Sequence, residues 1–343
     1  AFYDRLVDGL LARGIAPHVT LYHWDLPQAL QDQGGWAARE TAYRFADYAR
    51  VMGQRLDSRV VSICTHNEPW CTAVLGHEQG IFAPGVKDRQ VMLRVAHHLL
   101  LSHGLALRAA GVKTPLGIVL NQSPSTAATN SAEDVALAAR EYALFVRWYM
   151  EPLFLKRYPQ GPDLPVCDAV QAGDMDIIAQ PMDFLGVNYY TRLWCSSAVP
   201  PVPAPNALGV TDMGWEIYPQ GLTELLCQIK QDYTLPPLYI TENGMACADA
   251  LVAGQVDDAP RIAFIQSHLQ ALRKAMHAWV DVRGYFYWSL MDNFEWASGY
   301  AKRFGLFHVD YATQIRTPKA SAHWYRAWIK GQRCRAVATP HGG

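Results

Sequence analysis

The sequence has no apolar run approaching the roughly 20 residues that a membrane span requires, and no segment resembles a secretory signal peptide. A membrane partner is therefore not expected. Neither charge is in excess: thirty basic residues face thirty-one acidic ones, a formal charge of −1 that offers nucleic acid no electrostatic footprint. A neutral small molecule suits that balance better. The seven cysteines, at 64, 71, 167, 195, 227, 247 and 334, are odd in number, scattered and never spaced C-x-x-C, which argues against a disulfide framework or a zinc knuckle. They read as reduced, mostly buried thiols, a pattern that suits the cytoplasm. Also missing are G-x-G-x-x-G, the P-loop and the G-x-S-x-G elbow, so nucleotide and serine-hydrolase chemistry have no foothold. His77-Glu78 begins like H-E-x-x-H, but Ile81 stands where the second histidine belongs. His97, His98 and His103 lack the i, i+4 pairing of helical ligands. No metal and no cofactor are expected.

What is present is a large apolar complement, half of 343 residues, which favours a folded globular body. Six short runs rich in β-branched and aromatic residues, near 17–24, 59–68, 116–122, 184–191, 237–242 and 284–290, read as buried strands. Between them, 42–57, 89–110, 133–157, 219–231 and 261–279 carry apolar residues at helical spacing. Strand and helix alternate, so the fold class is α/β with parallel strands, either an open doubly wound sheet or a closed barrel. Without a nucleotide fingerprint, the (β/α)8 TIM barrel is preferred. The chain opens at Ala1 directly in an amphipathic pattern, with Phe2, Leu6 and Leu10 on one face and Gly14 placed to end the helix. That resembles the middle of a protein. Since a barrel needs eight strands, the expectation is an incomplete one, lacking its first two βα units, in a single catalytic domain over 1–343. The Pro-rich stretch 199–205 reads as a long βα loop rather than a linker, because strand and helix patterns resume unchanged after it.

In a parallel barrel, reactive groups sit where strands run into βα loops, because those loops open on one face. The second run ends in Thr65-His66-Asn67-Glu68-Pro69 and the fifth in Thr241-Glu242-Asn243-Gly244, so two carboxylates distant in sequence stand at strand ends. Facing carboxylates are the minimum equipment for glycoside cleavage, one protonating the leaving oxygen while the other attacks or activates water. Asn67 beside the first is suited to a sugar 2-hydroxyl, a contact that strengthens as the transition state forms. A single glutamate would ordinarily be an exposed loop acid. Two in such settings weaken that view, while their spacing alone leaves the reaction open.

The residues themselves resemble a known family. T-H-N-E-P at 65–69 and I-T-E-N-G at 240–244 look like the acid/base and nucleophile motifs of glycoside hydrolase family 1, the β-glucosidase and β-galactosidase group. L-Y-H-W-D-L-P at 21–27, N-Y-Y at 188–190, Y-W-S-L-M-D-N-F-E-W at 287–296 and R-F-G-L-F-H-V-D-Y at 303–311 match in the family's order. The resemblance implies a retaining mechanism, with Glu68 as acid/base and Glu242 as the nucleophile that forms a covalent glycosyl-enzyme. It places His23, Asn67, Glu295 and Trp296 on hydroxyls of the terminal sugar, Trp288 beneath its ring, Tyr190 on the nucleophile and Asn188 near both acids. Trp24 would wall the site, and Trp70 and Phe304 would flank the leaving group. An arginine and a glutamine that the family brings from its beginning have no counterpart here. The implied substrate is a small β-glycoside or oligosaccharide: Glu295 disfavours a 6-phosphorylated sugar by charge, and Glu68, rather than Gln, disfavours thioglucosides. The mechanism also asks for two protonation states, with mutual repulsion raising Glu68. The competing expectation is a sugar-binding fragment or pseudoenzyme of the same fold without turnover.

Overall fold

The computed structural model describes residues 1–338, with side chains through 332. Six parallel strands form one sheet in the order of the chain. They are β1 (His18–Tyr22), β2 (Ser62–Asn67), β3 (Leu116–Asn121), β4 (Phe184–Asn188), β5 (Leu238–Glu242) and β6 (Val282–Tyr285). Five correspond closely to the predicted runs; the sixth begins at Val282 and stops at Tyr285, the first residue of the aromatic stretch that suggested it. Tyr287 and Trp288 attract the eye as strand formers, yet they lie beyond the ladder, Trp288 lining the cavity described below and Tyr287 packing against Tyr325.

Helices fill the intervals: α1 (Phe2–Leu11), α2 (Glu40–Leu56), α3 (Arg89–Ala110), α4 (Ala132–Tyr142), α5 (Trp148–Leu155), α6 (Pro219–Asp232), α7 (Ala259–His277) and α8 (Ala320–Ala338). Their starts have local causes. Asp88 caps α3 by accepting from the backbone N–H groups of Gln90 and Val91, and Ser131 caps α4 by accepting from Asp134. Gly111, left-handed at φ 57°, ends α3. The predicted single helix 133–157 is interrupted by a π-helical turn, Ala143–Arg147, which turns Phe145 toward the cavity described below. The 199–205 stretch carries no regular structure, as its prolines suggest.

A flat six-stranded sheet would hold β1 roughly 24 Å from β6 at the usual strand spacing. Instead His18 of β1 packs edge-on against Phe286, just past β6, with ring centroids 5.1 Å apart. The sheet is rolled. No ladder joins β1 to β6 among the described residues. One continuous core of buried residues, from Tyr22 through Leu120 and Leu185 to Val282, joins the sheet to its helices.

The face expected for α1 is not the one that packs. Phe2 and Leu6 are exposed, while Val7 is buried against Leu56, Val60 and Ile63. Helical spacing alone does not say which of two apolar stripes meets the core. Six cysteines are free, four of them buried, and the Cys334 side chain lies outside the described residues. Among the described residues no helix is long and apolar enough to cross a membrane, and no cluster suits a metal ion. His97 instead bonds Asp174 and Tyr158, His98 the Trp36 carbonyl, and His103 Thr65, all as buried structural contacts.

Candidate active site

The strand ends open on a cavity of about 460 Å³. Eleven of the twelve residues singled out from sequence line it: His23, Trp24, Glu68, Trp70, Asn188, Tyr190, Glu242, Trp288, Glu295, Trp296 and Phe304. Asn67 is the exception. It is buried behind Glu68, its amide Nδ2 lies 3.3 Å from His23 Nε2, and its backbone carbonyl accepts the Trp24 indole N–H at 2.8 Å.

Parallel pairing brings the two carboxyls to one rim, and bulges adjust their aim. The β2–β3 register shifts between Cys64 and Asn67, and the β4–β5 register between Val187 and Asn188, immediately before the site residues. Trp24, Glu68 and Trp296 hold left-handed backbone at φ 83°, 47° and 44°, uncommon for side chains of this size and found where surrounding structure compels it. The Trp288–Ser289 peptide is cis. Gly244 has a plain reason: a Cβ there would overlap the Trp288 carbonyl oxygen, so the glycine of I-T-E-N-G lets the β5 and β6 ends meet. Asn243 completes that joint, donating to the Tyr189 carbonyl at 2.7 Å and accepting from Tyr285 Oη at 2.8 Å.

Glu68 and Glu242 are held by a shared set of donors. Asn188 Nδ2 donates to Glu68 Oε1 at 2.7 Å and to Asn67 Oδ1 at 3.0 Å, while its own Oδ1 accepts from Thr241 at 2.6 Å. Tyr190 donates its hydroxyl to Glu242 Oε2 at 2.6 Å. The Cys71 thiol donates to Glu68 Oε2 at 3.0 Å. Burial raises both carboxyls above their ordinary range, Glu242 strongly, with the nearby Glu68 charge adding to it. The expectation that repulsion lifts Glu68 is therefore not met: burial raises Glu68, and the repulsion between the two acids is felt at Glu242. No lysine or arginine lines the cavity among the described residues, so only the neutral donors oppose burial, and the pair retains a proton more readily than free carboxyls do.

Around the pair, burial pushes Glu295 up to about 7 and His23 down to about 4, so His23 is a neutral imidazole at neutral pH. Its ring stacks near Trp288 and Trp296, with centroids 5.8 and 6.0 Å away. Such a cluster of aromatic faces and polar heads suits a ligand with an apolar C–H face and a rim of hydroxyls.

Residues 1–334 match the sequence profile of glycosyl hydrolase family 1. The chain belongs to that family. Among curated relatives it is 42% identical to a β-glucosidase of an Agrobacterium species, over 96% of this chain and 75% of the relative. It is 44% identical to a bifunctional β-D-glucosidase/β-D-fucosidase of Bifidobacterium breve, over 97% and 79%. It superposes on the crystal structure of the family 1 β-glucosidase from Exiguobacterium antarcticum with a TM-score of 0.93 at 40% identity, covering 97% of this chain and 78% of that one. The fold is accordingly the family's α/β barrel type.

Several cavity residues escaped the reading of the sequence. Cys71 lies one helical turn after Glu68, an i, i+3 spacing that was legible. Asn121 ends β3, and Gln122 and Ser123 follow it just as Glu68 follows β2, so position pointed to them although residue type did not. Phe145 and Trp215 arrive from a helical turn and a distant loop, and no local pattern announces them. A buried ion network was missed as well: Lys319 donates to Asp249 at 2.5 Å and Asp292 at 2.8 Å, Arg303 to Asp292 at 2.6 Å, and Arg261 binds Asp249 and Asp258. It fastens the 289–306 segment, which carries Glu295 and Phe304, to the start of α8.

Proposed function

We propose that this family 1 chain is a retaining β-glycosidase that hydrolyses terminal non-reducing β-D-glucosyl residues, and β-D-galactosyl or β-D-fucosyl residues alongside them. The observation that carries the reading is the buried carboxyl pair, Glu68 and Glu242, oriented by Asn188 and Tyr190 within one cavity. The relatives named above support the glucosyl and fucosyl substrates by what they are called.

In this reading Glu242 attacks the anomeric carbon while Glu68 gives its proton to the leaving oxygen, so one C–O bond forms as the other breaks. With Glu242 esterified its charge is gone, and Glu68, now ionised, takes a proton from the water that releases the sugar. Tyr190 steadies the ionised nucleophile. His23, Glu295 and Trp296 hold the sugar hydroxyls over Trp288, Asn67 positions His23 through its amide, Trp24 walls the site, and Trp70 and Phe304 flank the leaving group. Residues 1–343 act as one catalytic domain, consistent with the large core cluster that spans the sheet from Tyr22 to Val282. The free thiols favour work in the cytoplasm.

Sugar binding without turnover is the weaker reading, because both acids are present and each is met by a hydrogen-bond donor. The test is Glu242→Ala: turnover of p-nitrophenyl β-D-glucoside should vanish, and azide should restore product with inverted configuration. Undiminished turnover by that variant would remove Glu242 from the role.

A further inference from the structure

Gln122 is the only cavity-lining residue among the described ones whose buried side chain leaves polar atoms unpartnered, and both ends of its amide do so. It is 1% exposed. Its backbone is well anchored, the N–H donating to the Asn188 carbonyl at 3.0 Å, so a loose main chain does not explain the unpaired amide. A buried amide with neither donor nor acceptor engaged is costly, and native structures rarely tolerate it without a purpose.

Its place in the barrel indicates the purpose. His23 follows β1, Trp288 and Trp296 follow β6, and the roll of the sheet gathers them on one side of the carboxyl pair. Gln122 follows β3, across the mouth, where strand order sets it beyond Glu68 from that cluster. Trp70 and Phe145 line the same cavity, their ring centroids 4.7 Å apart. An aromatic wall and a free amide lining one cavity match a second pyranose, which offers an apolar face and adjacent hydroxyls able to give and to accept. A simple phenol offers only the face.

We propose that Gln122 determines specificity for the leaving group, turning its amide to adjacent hydroxyls of a sugar, so that β-linked disaccharides are favoured over aryl glycosides. This rests on the glycosidase reading above. The full chain and its Gln122→Leu and Gln122→Met variants should be compared by kcat/KM on cellobiose and on p-nitrophenyl β-D-glucoside. The cellobiose-to-aryl ratio should fall about tenfold or more in both variants, the effect of two neutral hydrogen bonds. A ratio changed by less than twofold, with melting temperatures unaltered, overturns the assignment. Calorimetry of cellobiose binding in the Glu242→Gln chain, with and without Gln122→Leu, decides the point independently of turnover. A loss of about tenfold in affinity supports it; equal affinities, or no binding to the parent, overturn it. A chain that cleaves neither glucoside counts against the glycosidase reading, and calorimetry still judges Gln122.

Discussion

Replacing Cys71 by valine should move the alkaline limb of the pH profile upward. Glu68 has two donors, Asn188 on Oε1 at 2.7 Å and the Cys71 thiol on Oε2 at 3.0 Å, and valine, larger by about one methyl group, removes the second. Both bonds favour the ionised carboxylate, opposing the burial that raises it. Losing one therefore favours the protonated acid. Hydrogen bonds to charged groups contribute about 1.5–3 kcal/mol, and a thiol is a weak donor, so about 1.4 kcal/mol is reasonable. At about 1.36 kcal/mol per pKa unit, that is an upward shift of about one unit. Burial holds the Cys71 thiol itself well above its ordinary value, so it stays protonated throughout the working range. The assay is kcat/KM for cellobiose against pH, whose limbs report the ionisations of the free enzyme's carboxyl pair. Cys71→Ser, which keeps a donor, should leave the limb near its original place. A valine variant that melts normally yet shows an unmoved or lowered limb would refute the reasoning.

Tyr190→Phe removes the donor to Glu242 Oε2, raising that carboxyl further, so the acid limb of kcat/KM should move to higher pH as kcat falls. Glu295→Gln deletes a carboxyl that burial and the Glu68 charge push up to about 7. It should lower kcat/KM on p-nitrophenyl β-D-glucoside by about tenfold or more, a lost charged hydrogen bond, while improving relative turnover of the 6-phosphorylated glucoside. Lys319→Met takes one of two cations from each of Asp249 and Asp292, leaving Arg261 on the first and Arg303 on the second, and should cost about 3 kcal/mol of stability, measured by urea denaturation. The sign with pH follows from Asp292, whose carboxyl the neighbouring Lys319 and Arg303 hold below its ordinary value against burial. Its contribution is full above the unfolded pKa and is lost as pH falls through the folded one, so the native chain should lose stability in acid more steeply than the variant.

Much of the carboxyl pair was determined by sequence alone. Apolar runs at strand spacing and stripes at helical spacing marked five strands and the main helices, because buried parallel strands and amphipathic helices each impose a period on the chain. The T-H-N-E-P and I-T-E-N-G segments fixed Glu68 and Glu242 at strand ends, and strand order then required one rim. Gly244 lies in the same segment, but its reason is tertiary: the Trp288 carbonyl, brought from a later strand end, leaves no room for a Cβ. Tertiary structure decided what depends on approach from elsewhere. Val7 rather than Phe2 and Leu6 meets the core, because the position of α2 selects the stripe. Burial, rather than repulsion alone, raises the two acids, and burial is a property of the whole surroundings. Gln122 is an ordinary residue in the sequence; it became an unpaired amide at the cavity only when β2, β3 and β4 were laid side by side.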